Sequence, residues 1–332
     1  MRRFQLYGLS IASEFDFLLP EDSDDAPPAV TITRAPAEFF NAFLANASSA
    51  SDHKSFRYEP LPDGSSYLSW NDLFEFFITS DGRSIVCGLR GDALSEAYNA
   101  RANVCGLRGD ALFEASINDL LSYAFSFVLS FALLRTGDEA LHATVIESGG
   151  QAIGFLGNSG AGKSTLASYF LRKGSRLVTD DLLRVTFRDQ SVIAHPGPQR
   201  IKLLPESAAE HVQGTACTVS MNPFSAKQLI VPAGDQRMDR GVPLRALYLL
   251  DCLEKIDESN SVGAERLRSG EATLTVIAST FNAIVKTPER LGRQLRFAGQ
   301  ILSKVPIIRL SYPRRFDALS SVYELVVHGH QQ

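Results

Sequence analysis

The chain has 332 residues, 45% of them hydrophobic and 21% charged, with a formal net charge of -4. That length accommodates one large domain or two modest ones with a sizeable core, and the lack of a basic excess argues against nucleic acid or an anionic membrane as partner. Cys87, Cys105, Cys217 and Cys252 form no C-x-x-C pair, so neither a zinc nor a redox motif is suggested and a reduced, cytoplasmic protein is expected.

The opening Met1-Arg2-Arg3 gives way to polar residues by Ser10 and Ser13, with no signal-peptide apolar block between. Residues 1–110 read as a β-rich N-terminal region. Strands are predicted over 4–11, 29–33, 56–58, 67–70, 74–79 and 84–87, with turn chemistry at Gly64 and Asp81-Gly82 and an acidic, proline-ended loop at 21–28. The run 86–97 (VCGLRGDALSEA) recurs at 104–115 (VCGLRGDALFEA), an offset of 18 residues, and reads as a local tandem duplication. Residues 120–134 (LLSYAFSFVLSFALL) are the most apolar stretch, too short for a membrane span, and are predicted as a buried helix with Ser122, Ser126 and Ser130 on one stripe.

Residues 111–332 form the second expected domain, and from about 137 its texture is that of an α/β fold. Strands are predicted over 141–147 and 152–156 on either side of Gly149-Gly150. A glycine-rich loop, a helix over 163–172, a stop at Gly174 and a strand over 176–178 follow. Later strands are expected over 242–250 and 305–310, a helix over 281–302 and a closing helix over 317–328. Arg290, Arg293 and Arg296 fall on one broad face of the long helix, read as a solvated stripe or a face for an acidic substrate or subunit.

The glycine-rich loop reads Gly157-Asn158-Ser159-Gly160-Ala161-Gly162-Lys163-Ser164, a full match to G-x-x-x-x-G-K-[ST], placed after a strand and at the start of a helix. Glycines let backbone N–H groups converge on phosphate oxygens, and the helix start adds its positive dipole end. Lys163 is placed for the β- and γ-phosphates and Ser164 for Mg²⁺, so ATP and Mg²⁺ are the expected ligands, held by residues 157–164 with Thr165. Asp180-Asp181 closes the strand after that helix. Aspartates there can cap a helix or form a turn. Beside a phosphate loop they can instead hold the metal or take a proton from a hydroxyl. Arg200 and Lys202, in HPGPQRIK, can clamp phosphate or a peptide carboxylate or form a solvated basic patch.

Over residues 141–185 these features resemble the kinase domain of bacterial HPr serine kinase/phosphorylase, with His142 in the strand before the loop and the paired aspartates after G-x-x-L-V. The resemblance implies an α/β P-loop kinase domain of the HPr kinase C-terminal type, preceded here by the small β-rich region. It makes Asp180 a general base on the acceptor hydroxyl, His142 a residue that tunes or hydrogen-bonds it, and Asp181 an assistant at the metal with Ser164. In layout the whole chain is closer to HPr-kinase-like proteins of peptide-modification gene clusters, including lasso-peptide kinases, which phosphorylate a serine of a precursor peptide. The glutamate-and-arginine signature found downstream in the HPr enzyme has no matching glutamate here, a departure that counts against a second metal ligand and the reverse, phosphorylase activity. The expected partners are a serine-bearing peptide or protein and, by resemblance, further copies of the chain, with no nucleic acid and no membrane. A small-molecule kinase and a non-catalytic nucleotide-binding regulator are the alternatives.

Overall fold

The computed structural model describes residues 1–17, 19, 21–22, 26–36, 38–41, 43, 56–70, 74–89, 110–211, 219–222, 225–253 and 262–329. It divides into two compact units, the first 1–138 with 222–225 and the second 139–221 with 226–332. Most of the 86–97/104–115 repeat lies outside the described residues.

Among the described residues, the first unit contains a seven-stranded sheet and one long helix. Its strands are β1 (Arg2–Leu6), β2 (Leu9–Ser13), β3 (Val30–Arg34), β4 (Phe56–Pro60), β5 (Ser66–Trp70), β6 (Phe74–Ile78) and β7 (Ser84–Leu89), in the order β1-β2-β3-β7-β6-β5-β4. The single strand expected over 4–11 is a hairpin. Tyr7 and Gly8 both take positive φ, 54° and 69°, the conformation of the tight turn whose twist matches antiparallel strands. Helix α1 (Asp110–Thr136) contains the apolar run 120–134 and begins ten residues before it. Ser126 and Ser130 are buried, and Ser126 accepts a hydrogen bond from the Tyr7 hydroxyl at 3.0 Å, which satisfies both groups away from water.

The second unit is a mixed α/β fold. In chain order it runs β8 (Ala140–Ser148), β9 (Gln151–Leu156), α2 (Lys163–Arg172), β10 (Arg176–Thr179), β11 (Leu182–Arg188), β12 (Ser191–Ala194), β13 (Ile201–Leu203), α3 (Pro205–His211), β14 (Val219–Asn222), β15 (Ser225–Ile230), β16 (Val242–Leu253), β17 (Gly263–Arg266), α4 (Ser269–Ala278), α5 (Pro288–Leu302), β18 (Ile307–Pro313) and α6 (Leu319–His328). Strands β9, β16 and β18 are parallel neighbours; β8 pairs antiparallel with β9, and β17 with β18. The centre of this sheet is apolar on both faces. Ile153, Phe155, Leu247 and Leu310 are all buried, as the covered faces of parallel strands require. Strands β13, β15 and β14 make a separate small sheet.

The helix expected over 281–302 starts at Pro288, with the Thr287 side chain accepting from the Arg290 backbone N–H at 3.2 Å. An N-cap threonine followed by proline at the first turn is a strong start signal. The arginines on α5 do not form a uniform solvated stripe. Arg290 is 1% exposed; its Nη2 meets Glu139 Oε2 at 3.0 Å and its Nε meets Oε1 at 3.3 Å. The same guanidinium donates to the carbonyls of Phe281, Asn282 and Val285. Arg293 also approaches Glu139, at 3.8 Å. This cluster joins the start of β8 to the segment between α4 and α5. Among the described residues no helix is long and apolar enough to cross a membrane.

Candidate phosphate-binding and acid–base site

The loop between β9 and α2 follows from its glycines. Gly157 has φ 147° and Gly162 φ 92°, both in the region that L-residues avoid. A Cβ on Gly157 would stand 3.0 Å from the Ala161 Cβ. Gly162 is the N-cap of α2 and supplies no side-chain cap, so the first N–H groups of the helix are left to another acceptor. Asn158, Ser159 and Gly160 are exposed at the loop's rim. Lys163 is buried, and its Nζ donates to the Gly157 carbonyl at 2.7 Å and the Asn158 carbonyl at 3.2 Å. Burial lowers the pKa of its ammonium, with Asp180 and Asp181 opposing the shift. The Thr165 hydroxyl is 3.0 Å from that of Ser207 on α3.

Strands β10 and β11 both pair with β8. Thr179 lies opposite Val145 and Leu182 opposite His142, so Asp180 and Asp181 span the break between the two pairings. Asp181 takes φ 84°, an uncommon conformation for a non-glycine residue and one that recurs at functional sites. Asp180 is 6% exposed and is held by three donors. The Thr144 hydroxyl is at 2.7 Å and that of Ser164 at 3.1 Å, both on Oδ1, and the Lys202 N–H is 3.0 Å from Oδ2. Asp181 accepts from the Lys202 ammonium. Burial and the Asp181 charge push the Asp180 pKa up, against the pull of Lys202 and Thr144. Burial acts to raise the Asp181 pKa, but the charge and hydrogen bond of the Lys202 ammonium, together with His142 and Lys227, make the net shift downward. Two adjacent carboxyls are thereby driven apart in proton affinity.

His142 sits two residues before Thr144, on the same face of β8. Its ring is 5.3 Å from that of Phe281, and its backbone N–H donates to the Ser279 carbonyl at 2.7 Å. Burial, with Lys163 next, pushes its pKa down to about 4, so the imidazole is neutral at pH 7. Arg200 is half-buried just before β13, the strand that carries Lys202.

The structure thus brings together Lys163, Ser164, Asp180 and Asp181, with His142 close enough to feel the charges of Lys163 and Asp181. It adds contacts that the motifs alone do not indicate. Thr144 and Lys202 hold the aspartates, and Lys227 on β15 contributes positive charge that lowers Lys163 and Asp181. Cys252 at the end of β16 lies 3.2 Å from the Ala161 carbonyl, and Arg314 donates to the Gly160 carbonyl at 3.0 Å. The sequence marks Lys202 with Arg200, though not as the partner of an aspartate, and Thr144 stands in an i, i+2 relation to His142 on a strand. The Ser164 hydroxyl and the carboxylates of Asp180 and Asp181 are hard oxygen donors gathered near the helix start, a donor type that suits Mg²⁺.

No family model matches the chain. It is 33% identical over 89 residues to the HPr kinase/phosphorylase of Limosilactobacillus reuteri, covering 27% of each chain. It is 29% identical over 90 residues to that of Lactobacillus delbrueckii subsp. bulgaricus, covering 27% of this chain and 28% of the relative. The chain therefore spans little more than a quarter of the length of these relatives. The solved structure of the Hpr(Ser) kinase/phosphatase from Coxiella burnetii aligns at 12% identity with a TM-score of 0.31, over 58% of this chain and 95% of that one. On the sequence comparisons, the chain is HPr-kinase-like over a segment of 89 to 90 residues.

Proposed function

We propose that the chain is an ATP- and Mg²⁺-dependent kinase that transfers the γ-phosphoryl group to a serine hydroxyl of a peptide or protein. The observation that carries this reading is the junction of the loop and the acid pair. Ser164, from the loop motif, and Asp180, from the next strand, are in hydrogen-bond contact at 3.1 Å. A phosphate-binding element and a carboxyl with raised proton affinity therefore share one site. Segmental similarity to proteins named HPr kinase/phosphorylase supports the same class.

In this reading the loop N–H groups and Lys163 hold the β- and γ-phosphates, with Lys163 leaving its own loop carbonyls to do so. Asp180 accepts the proton of the acceptor hydroxyl. The serine oxygen then bonds to the γ-phosphorus as the bond to the β-phosphate bridging oxygen breaks, and ADP leaves. A raised pKa makes Asp180 a better proton acceptor than an ordinary carboxylate. Asp181, with its lowered pKa, stays anionic and with Ser164 would hold Mg²⁺, which when bound neutralises charge on the phosphate oxygens. Divergent proton affinities in a neighbouring pair are the pattern by which acid–base and electrostatic roles are divided. His142, neutral at pH 7, sets the polarity beside the pair, and Arg200 is assigned to the phosphates or to the acceptor's charge.

The test is transfer of label from γ-labelled ATP, with Mg²⁺, to serine peptides and to HPr protein. Wild type should label a serine, while Asp180→Asn and Lys163→Ala should not. Nucleotide binding without transfer to any acceptor would favour a nucleotide-binding regulator instead.

A further inference from the structure

The chain that leaves β18 has two faces. Toward the phosphate loop, Arg314 donates to the Gly160 carbonyl at 3.0 Å, and the Tyr312 hydroxyl lies 3.4 Å from where a Cβ on Gly162 would stand. Away from the loop, Pro313 and Arg315 form one wall of a cleft of about 670 Å³, whose other walls include Val262, Asp317, Ser321 and Glu324. The cleft lies at the carboxyl end of β18, the side of an open α/β sheet on which ligands are bound. Strand β18 is two places from β9 in the order β9-β16-β18, roughly 10 Å at ordinary strand spacing. Asp180 and Asp181 stand on the opposite side of the loop, beside β8.

That arrangement gives the loop a direction. The acid pair marks the end at which the terminal phosphate reacts, so the rest of a nucleotide must leave the loop across β16 toward β18. We propose that the cleft beside Pro313 and Arg315 receives the ribose and base of the nucleoside triphosphate; the assignment rests on the nucleotide-binding reading above. The volume falls within the range of small-molecule sites, and the lining mixes apolar with charged and polar side chains. Pro313 and Val262 offer apolar surface to the face of a base. The Arg315 guanidinium is suited to stack on it and is oriented by Asp317 at 2.9 Å. The Asp317 and Glu324 carboxylates accept from ribose hydroxyls or from an exocyclic amino group. Residues 312–315 would then join the two halves of the site, one side touching the phosphate loop and the other the nucleoside.

The experiment compares the affinity of the full chain for ATP and for inorganic tripolyphosphate, both with Mg²⁺, by calorimetry. Tripolyphosphate fills the loop but has nothing to place in the cleft. Ser321→Trp fills the cleft from an exposed helix position, and Glu324→Arg reverses a charge there. Both variants are expected to weaken ATP binding by about tenfold or more while leaving tripolyphosphate within about twofold of wild type. Lys163→Ala should weaken both ligands. ATP binding unchanged in both cleft variants would overturn the proposal, and so would equal losses for ATP and tripolyphosphate. Wild-type protein that binds neither ligand would overturn the nucleotide reading itself, and the cleft assignment with it.

Discussion

Thr144 and Asp180 face each other across a gap in strand pairing, the threonine hydroxyl donating to Oδ1 at 2.7 Å from a fully buried position on β8. This hydrogen bond favours the ionised form of Asp180 and opposes the burial and like charge that raise its pKa. Thr144→Val keeps the shape and removes the donor. The Asp180 pKa should rise further, and the acidic limb of the kcat–pH profile should move to higher pH. Loss of a hydrogen bond to a charged group, about 1.5–3 kcal/mol, should appear as a shift of that limb by about one to two pH units. A purely structural role for Thr144 would lower activity without moving the limb.

Asp180 also costs stability. Its folded-state pKa is raised, so the folded chain binds a proton more tightly than the unfolded chain does. Its contribution is fully present below the unfolded pKa and is lost as pH rises through the folded pKa. Asp180→Asn, which cannot ionise, should therefore melt higher than wild type at pH 7, with the gain shrinking as pH falls through the range where the wild-type carboxyl takes up its proton. Each kcal/mol should appear as about 2–4 °C in Tm for a chain of this size. Thermal melts from pH 4 to 8 measure it, and a gain independent of pH would contradict the assignment.

Lys163 is turned onto the carbonyls of Gly157 and Asn158, and burial lowers its pKa against the opposing charges of Asp180 and Asp181. Lys163→Met removes the charge and retains most of the buried stem. The loop, built by Gly157 and Gly162, should persist. Phosphate affinity and kcat should both fall, kcat by roughly a hundredfold or more, as expected for loss of a charged group aimed at the transferring phosphoryl. A variant retaining wild-type kcat would remove Lys163 from the site.

The elements that place this site were legible where a local rule is strict. The run 140–172 could be read as strand, turn, strand, loop and helix because a phosphate loop demands that context and glycines mark its turns. Helix α2 spans the expected residues, Lys163–Arg172. The Tyr7-Gly8 turn and the start of α5 were also written locally, but apolar residues on both sides of each ran the pattern through the break. The long-range partners were not written at all. Nothing near Lys202 indicates that it neutralises Asp181, because the pairing depends on β13 running beside the end of β10. Arg290, spaced three residues from Arg293, has the periodicity of a surface stripe, and only the fold supplies the buried carboxylate that pairs with it.

That carboxylate is Glu139, which at 5% exposure holds a 1%-exposed Arg290 through two contacts, at 3.0 and 3.3 Å. An ion pair this deep adds little net stability relative to apolar side chains of the same size, because desolvation offsets the attraction. Breaking it from one side is different, since it leaves an uncompensated buried charge. Arg290→Met should destabilise the second unit by about 3–5 kcal/mol, and Glu139→Leu by a similar amount. The double variant should recover much of the loss, falling short to the extent that Arg290 also holds the carbonyls of Phe281, Asn282 and Val285. Urea unfolding of the four proteins completes a double-mutant cycle. Strictly additive single losses would show that the two side chains act independently.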